Sequence, residues 1–310
     1  MSRADDRLSS LDRYSAACER AAAQIIEVYS TSFGAATRML GPRHRSHVRN
    51  IYALVRIADE LVDGATDEAG VDAAEQHTSL RMLEAETDRA ITSGYSSNPI
   101  VHAFARTARE AGIDTDLTGP FFEAMRSDLP TAQATAGESA DVPAPIAGFS
   151  DDAHARYVFG SAEVVGLMCL RVFLRDETRT DDEQRILEHG ARRLGAAFQN
   201  VNFLRDLADD SDRLGRSYLT EQGRVDATVQ GQWIATIREQ LADATASLPL
   251  LPSDARVAVG CALRLFSRLT DRLAAVPADE LYRRRVRVPT PEKAWLAARA
   301  AVEYRTGRFA

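Results

Sequence analysis

Cysteine is scarce in this sequence. Its 310 residues hold three, Cys18, Cys169 and Cys261, each far from the others. An odd, isolated set supports neither a disulfide framework nor a zinc site, and reads as reduced thiols of a cytoplasmic protein. Positive charge is also in deficit: 38 Lys and Arg against 45 Asp and Glu leave a formal net charge of −7. No basic stripe dominates, so nucleic acid is not an expected partner. The one dense basic run, Arg283, Arg284, Arg285 and Arg287, is local. It could meet phosphates, touch a membrane surface, or end a solvated helix. No stretch reaches 18 apolar residues without a charge, so no membrane span is expected. The opening MSRADDRLSSLDRY lacks the apolar segment of a signal peptide.

Strand-like alternation is nearly absent as well. Ala, Leu, Arg and Glu abound, with apolar residues at three- and four-residue spacing, which predicts an almost wholly helical chain. Candidate helices run over 11–39, 43–63, 72–92, 98–112, 117–127, 153–174, 181–210, 226–247, 253–276 and 290–305. The clearest irregular stretch is DLPTAQATAGESADVPAPIAGFSDD, residues 128–152, whose prolines, glycines and small polar residues predict a loop or flap. Both of its flanks carry parts of one candidate site. The chain therefore reads as a single domain over 1–310, with the first ten residues outside the ordered fold.

The stretch IYALVRIADELVDG, Ile51–Gly64, poses a question. It reads as a helix, yet Asp59, Glu60 and Asp63 crowd its last turn, where the helix dipole is itself negative. Tyr52, Arg56, Asp59 and Asp63 are spaced four, three and four, so they share one face. Two carboxylates one turn apart repel unless a cation sits between them. Far along the chain, Gln199, Asn202, Asp206 and Asp210 repeat the pattern with spacings of three, four and four. Leu194, Ala197, Phe198, Val201 and Leu204 occupy the other side of that helix, with Phe203 and Leu207 flanking the ridge. One Asp-x-x-x-Asp pair is common on a solvated face. Two such pairs, each preceded on its face by ligand-suited polar groups, point to facing carboxylates around Mg²⁺. Mg²⁺ on few carboxylates completes its shell with water and phosphate. Apolar helices around such a site imply an apolar diphosphate, that is, an isoprenoid.

Four blocks carry a family likeness. YSTSFGAATRMLGPRHRSHVRNIYALVRIADELVD, YVFGSAEVVGLM, AFQNVNFLRDLADDSDRLGRSYL and YRRRVRVPTPEKAWLAARA together resemble the squalene/phytoene synthase family, the head-to-head prenyl transferases, over roughly residues 20–305. The likeness is strongest to bacterial phytoene synthases. It implies an all-α isoprenoid-synthase fold around a central cavity, with the two acidic motifs facing at its mouth. The first motif falls on Asp59, Glu60 and Asp63, with Arg56 and Tyr52 before it. The second falls on Gln199, Asn202, Asp206 and Asp210, with Arg205 and Asp209 beside them. Ser30, Ser32 and Phe33 match a flap element and Tyr157 a site-lining tyrosine. Arg216, Tyr218, Tyr282 and Lys293 match later polar positions. The implied metal ligands are Asp59, Glu60, Asp63, Asn202, Asp206 and Asp210, with Mg²⁺ as the ion and Mn²⁺ as a substitute. Glu60 stands where many members have Asp, and the 128–152 stretch is longer and richer in Pro and Ala.

The same likeness implies condensation of two prenyl diphosphates through a cyclopropylcarbinyl diphosphate. Two geranylgeranyl diphosphates would give phytoene, as in carotenoid biosynthesis; farnesyl diphosphate would give squalene or dehydrosqualene. Tyr157, Tyr218 and Tyr282 are candidates for polar contacts or proton handling, or are hydroxyls satisfied in a core. No Gly-rich dinucleotide loop is present, so NADPH is not an expected cofactor. Phe33, Ala36, Leu167, Leu170 and Phe198 are candidates for the cavity floor. The expected location is cytoplasmic, with weak peripheral membrane contact. Some relatives are non-catalytic assembly factors that have lost carboxylates, and here both acidic motifs are intact. Oligomeric state is not legible in the sequence.

Overall fold

The computed structural model describes residues 9–129, 147–148, 150–208, 216–217, 219–220 and 224–305. In chain order the helices are α1 (Ser10–Tyr29), α2 (Thr31–Arg38), α3 (Pro42–Asp63), the single turn α4 (Ala65–Glu68), α5 (Ala73–Ser93), α6 (Pro99–Ala111) and α7 (Thr115–Ser127). After them come α8 (Asp151–Val158), a π-helical turn (Phe159–Glu163), α9 (Val164–Leu174) and α10 (Asp181–Arg205). The last are α11 (Ala227–Ser247), α12 (Ser253–Ala274), α13 (Ala278–Leu281) and α14 (Thr290–Arg305). The fold is all-α, with one short parallel pairing of β1 (Ala147–Gly148) and β2 (Arg216–Ser217).

Local chemistry sets the helix ends. Ser9 with Asp12, and Thr180 with Glu183, form reciprocal capping boxes that satisfy orphan N–H groups at the starts of α1 and α10. Asn98 caps α6, Pro99 opens it, and Gly112 ends it at φ 67°, a left-handed position that glycine takes without strain. The expected helix over 11–39 is two helices. Ser30 is extended (φ −139°, ψ 111°), and its hydroxyl accepts from the Phe33 N–H at 3.0 Å. The serine thus caps α2 and turns the chain, which seats Phe33 on the cavity wall.

The second expected ridge also ends early. Helix α10 closes at Arg205, and Asp206 is its C-terminal cap at φ −104°, ψ 16°. The break is a single bend, for Leu207 and Ala208 are helical again. Within the 128–152 stretch the irregular part stops at Ser150, whose side chain caps α8. Residues 130–146 and 149 lie outside the described residues.

Two long helices organise the core. Helix α3 packs among α1, α5 and α6, while α10 packs against α11 on one side and the α8–α9 rod on the other. Helix α12 closes the ring with α2 and α14. The approach of α10 to α9 depends on missing side chains. A Cβ on Gly166 would stand 2.4 Å from the Ala191 carbonyl oxygen, and one on Gly195 would stand 2.4 Å from that of Ala162. The rod Asp151–Leu174 is long and apolar enough to cross a membrane by length and composition alone. Its setting accounts for that composition. One face packs into the core and another lines the internal cavity, so apolar side chains are needed nearly all round.

Candidate active site

A cavity of about 1010 Å³ opens between these helices, at the upper end of ordinary ligand-pocket size. Its inner wall is apolar. Phe198 and Phe266 stack with centroids 3.8 Å apart, and Phe33 meets Phe198 edge-on at 5.3 Å. Ala36, Thr37, Val48, Cys169, Leu170 and Phe173 also contribute to the lining. Of the expected floor residues, Phe33, Ala36, Leu170 and Phe198 lie on the cavity, and Leu167 is not among its lining residues.

The mouth is charged. From α3, Tyr52, Arg56, Asp59, Glu60 and Asp63 all reach the cavity. Arg56 pairs with Glu60 and lies over the Tyr29 ring at 4.3 Å. Glu60 also accepts from the Ala65 N–H at 3.0 Å, so this carboxylate ties α3 to the following turn. Asp59 answers the question posed by the sequence. Burial pushes its carboxyl up to about 7; Arg56 opposes the rise, while Asp63, Asp128 and Glu60 add to it. Arg56 thus compensates this carboxyl only in part. Burial raises the Tyr52 hydroxyl too, against the lowering influence of Arg56 and a hydrogen bond from Ser30.

Facing α3, α10 brings Gln199, Asn202, Arg205 and Asp206 to the same mouth. Asp206 is gripped from two sides. Arg205 donates Nε to Oδ1 at 3.0 Å and Nη2 to Oδ2 at 2.6 Å. Arg285 places Nε 2.7 Å from Oδ1 and Nη2 3.1 Å from Oδ2. Arg285 belongs to a strap without regular secondary structure, Arg285–Pro289, whose residues line the cavity, with Val286 and Val288 buried. Arg287 and Lys293 line the cavity beside it. Burial, then Arg205 and Arg287, hold the Lys293 ammonium below the usual lysine range.

Other expected residues are placed as follows. Ser30 and Tyr157 line the cavity. Tyr157 donates to the Asp128 carboxylate at 2.6 Å. Ser32 lies within α2, and Arg216 pairs with Ala147 in the two-residue sheet. Asp209, Asp210 and Tyr218 lie outside the described residues. Tyr282 is not on the cavity. It lines a separate hollow near the start of α11, where its hydroxyl accepts from the Val225 N–H at 2.8 Å and Arg224 stacks on its ring at 3.8 Å. The basic run divides in two. Arg283 and Arg284 stay outside, paired with Asp279 and Glu280, whereas Arg285 and Arg287 enter the site.

Sequence reasoning missed Asp128 and Phe266, and it named Arg285 and Arg287 only within a basic run that could meet phosphates, without separating them from Arg283 and Arg284. Asp128 gave no signal, because its partner lies 29 residues away.

Among the described residues no three His, Cys, Asp or Glu side chains cluster closely enough to hold a metal ion unaided. The donor set still suits Mg²⁺. At the mouth it offers carboxylates and the amides of Gln199 and Asn202, with the Cys169 thiol in the apolar wall, and Arg56 compensates Asp59 only in part. Mg²⁺ commonly binds through one or two carboxylates plus substrate phosphate, which requires no preformed cage.

The chain is 27% identical to the chloroplastic phytoene synthase 3 of Zea mays over 87% of its length, spanning 62% of that protein. It is 26% identical to the 15-cis-phytoene synthase of Enterobacter agglomerans, covering 92% of this chain and 95% of the relative. A ligand-bound dehydrosqualene synthase crystal structure superposes with a TM-score of 0.69 at 21% identity, over 96% of this chain and 98% of that one. The family model described as squalene/phytoene synthase matches residues 26–292, and the chain belongs to that family.

Proposed function

We propose that this chain is a prenyltransferase that joins two prenyl diphosphates head to head, and that its preferred reaction converts two geranylgeranyl diphosphates to phytoene. One observation carries the reading: α3 and α10 bring carboxylates and guanidinium groups to the mouth of a single cavity whose interior is apolar and aromatic. A charged mouth over a greasy interior fits an amphiphile with an anionic head and a hydrocarbon tail. The names of the relatives at 26–27% identity favour phytoene formation within that class.

In this reading Asp59, Asp63 and Asp206 hold Mg²⁺, with Asn202 and Asp210 as further oxygen donors and Mn²⁺ as a substitute. The ion's contribution is to neutralise charge on a diphosphate leaving group and so ease ionisation. Arg205, Arg285 and Arg287 offer planar donor forks to the phosphate oxygens, and Lys293 adds a point charge. The rings of Phe33, Phe198 and Phe266 exclude water and present π-faces to an allylic cation. The cyclopropylcarbinyl diphosphate intermediate would remain in the same enclosure, ionise again with release of its diphosphate, rearrange, and lose a proton to give phytoene without a nicotinamide.

The test is incubation with geranylgeranyl and farnesyl diphosphates separately, with and without Mg²⁺ and NADPH, followed by mass spectrometry of the hydrocarbon. Phytoene from the first substrate, dependent on Mg²⁺ and indifferent to NADPH, is expected. A C30 product alone would transfer the reading to squalene or dehydrosqualene synthesis. No product from either substrate would leave a non-catalytic role for the fold.

A further inference from the structure

The rings expected at the floor of the cavity do not close it. Phe198 stands one turn inside Asn202 on α10, where it stacks on Phe266 and meets Phe33 edge-on. Phe33 and Phe266 are themselves 5.6 Å apart, so the three rings form a collar. Helix α10 goes on lining the cavity through Leu194 and Ala191 to Gly190. From Asn202 to Gly190 is about 18 Å along the helix axis, and about 12 Å of that lies beyond Phe198. Past the collar the wall is built of small side chains, those of Ala191, Ala244, Ser247, Ala258 and Ala262 beside Gly190. A Cβ on Gly190 would stand 2.1 Å from the Ser247 Oγ. The Ser247 hydroxyl is occupied, donating to the Ala244 carbonyl at 2.8 Å, so this inner chamber suits hydrocarbon.

Leu40, Phe173 and Leu251 line the far end. That end is braced from behind. The His44 ring, fully buried, meets Phe173 edge-on at 5.3 Å and places Nε2 3.2 Å from Asp254 Oδ1. Arg43 donates Nε to Asp254 Oδ2 at 2.8 Å, and the Gly41 N–H donates to the Asp254 carbonyl at 2.8 Å. Arg175 donates to the Arg43 carbonyl at 2.6 Å. These bonds tie the starts of α3 and α12 to the end of α9, and a wall so tied resists retreat before a longer ligand.

We propose that this inner chamber gauges the length of a prenyl tail: Ala258 and its small neighbours leave room for the last prenyl unit of a geranylgeranyl chain, and Phe173 is the stop. The proposal rests on the prenyl-coupling reading for what enters the cavity. One leaflet of a bilayer, about 15 Å of hydrocarbon, takes one long acyl chain, and a geranylgeranyl tail is of that order. With its diphosphate near Asn202, such a tail reaches past the collar to the far wall. A farnesyl tail, one prenyl unit shorter, leaves part of the chamber without contacts and forfeits their dispersion energy. A tail one unit longer meets Phe173.

The experiment compares unreactive thiolodiphosphates carrying farnesyl, geranylgeranyl and geranylfarnesyl tails, bound in the presence of Mg²⁺ and followed by calorimetry. The wild type should bind the geranylgeranyl analogue tightest. Ala258→Leu, which fills the chamber, should shift the ratio of geranylgeranyl to farnesyl affinity about 100-fold toward farnesyl, the scale for a few carbons in a closed apolar pocket. The ratio of kcat/KM for the two diphosphate substrates should move in the same direction. Phe173→Ala, which removes the stop, should raise the affinity for the geranylfarnesyl analogue about 10-fold relative to the geranylgeranyl one. Should Ala258→Leu fail to fold, Ala258→Val carries the same comparison with a smaller shift. Equal affinity of the wild type for all three tails would overturn the gauge. Turnover of geranylgeranyl diphosphate with ratios unmoved in the variants would also overturn it and leave the coupling reading intact. Length-dependent binding that shifts as stated, in a protein that converts neither substrate, would sink the coupling reading and leave the gauge established.

Discussion

Arg285 closes on Asp206 beside Arg205: Oδ2 accepts from both guanidinium groups, and Oδ1 accepts from Arg205 with Arg285 Nε 2.7 Å away as an ion pair. A carboxylate has about four lone-pair positions, and three hydrogen bonds already occupy most of them. A cation that ligates Asp206 therefore competes with the arginines. The freed fork would stand at the cavity mouth, where a diphosphate could receive it. Cation and phosphate binding are coupled through this exchange.

The coupling gives a prediction for the strap. Arg285→Gln should raise the affinity of the free protein for Mn²⁺, a spectroscopically visible substitute, because one competitor for Asp206 is gone. The same change should weaken inorganic pyrophosphate binding in the presence of Mg²⁺. Titration followed by electron paramagnetic resonance measures the first and calorimetry the second. Equal Mn²⁺ affinities in variant and wild type would show that Arg285 does not compete for the carboxylate.

A second prediction follows from Asp59. Its carboxyl is raised from 3.8 to about 7 in the folded protein without metal, chiefly by burial. The folded state thus holds this proton more tightly than the unfolded chain does. The associated stability is present in full below pH 4 and is lost as pH rises through 7. Every tenfold gain in proton affinity on folding corresponds to about 1.4 kcal/mol, reduced here because the group lines an open cavity. Asp59→Asn should therefore raise the melting temperature at pH 8 in EDTA and leave it nearly unchanged at pH 4. Adding Mg²⁺ at pH 8 should stabilise the wild type and not the variant. Identical pH profiles for the two proteins would contradict the placement of this carboxyl.

The α3 ridge was legible because spacings of four, three and four define a helical face without any knowledge of the fold. Along the second ridge Gln199, Asn202 and Asp206 all reach the mouth, although Asp206 caps the helix and is held by Arg285, 79 residues away. Phe198 was read both as lying on the side away from the polar ridge and as a candidate for the cavity floor, and it lines the cavity. An apolar cavity and a core make the same demand on a helix, so hydrophobic pattern cannot distinguish them. Tyr282 shows the converse. A polar residue in a matching block was set near the site, whereas the short α13 carries it to a neighbouring hollow. Through-space pairs such as Asp128 with Tyr157 leave no periodic trace.

A third prediction concerns the seam between α9 and α10. A Cβ at Gly166 would lie 2.4 Å from the Ala191 carbonyl oxygen, a backbone atom that cannot rotate away. Gly166→Ala should push the helices apart and cost roughly 1–3 kcal/mol or more, as overpacking does. Because Gly166 also lines the cavity, the displaced wall should alter substrate fit as well. Chemical denaturation measures the stability loss. A variant as stable as wild type would mean that the two helices pack less closely than the structure shows.

The last prediction separates the two halves of the basic run. Arg283 and Arg284 are largely exposed and lie near acidic residues one turn back, at 3.9 Å from Asp279 and 2.6 Å from Glu280. Arg287 lines the cavity, and its charge is felt at Lys293. Replacing Arg283 and Arg284 together with Gln should leave single turnover of detergent-dispersed substrate unchanged. Replacing Arg287 with Gln should slow it strongly, because a phosphate donor is lost from the site. We further propose that contact with anionic lipid rests on the outer pair, at up to about 1 kcal/mol for each arginine near the surface. Their acidic neighbours reduce that figure, so liposome flotation should be weak and should vanish at high salt. Flotation that falls with Arg287→Gln and not with the outer pair would reverse this division. Equal loss of single turnover in both variants would return the whole run to the diphosphate site.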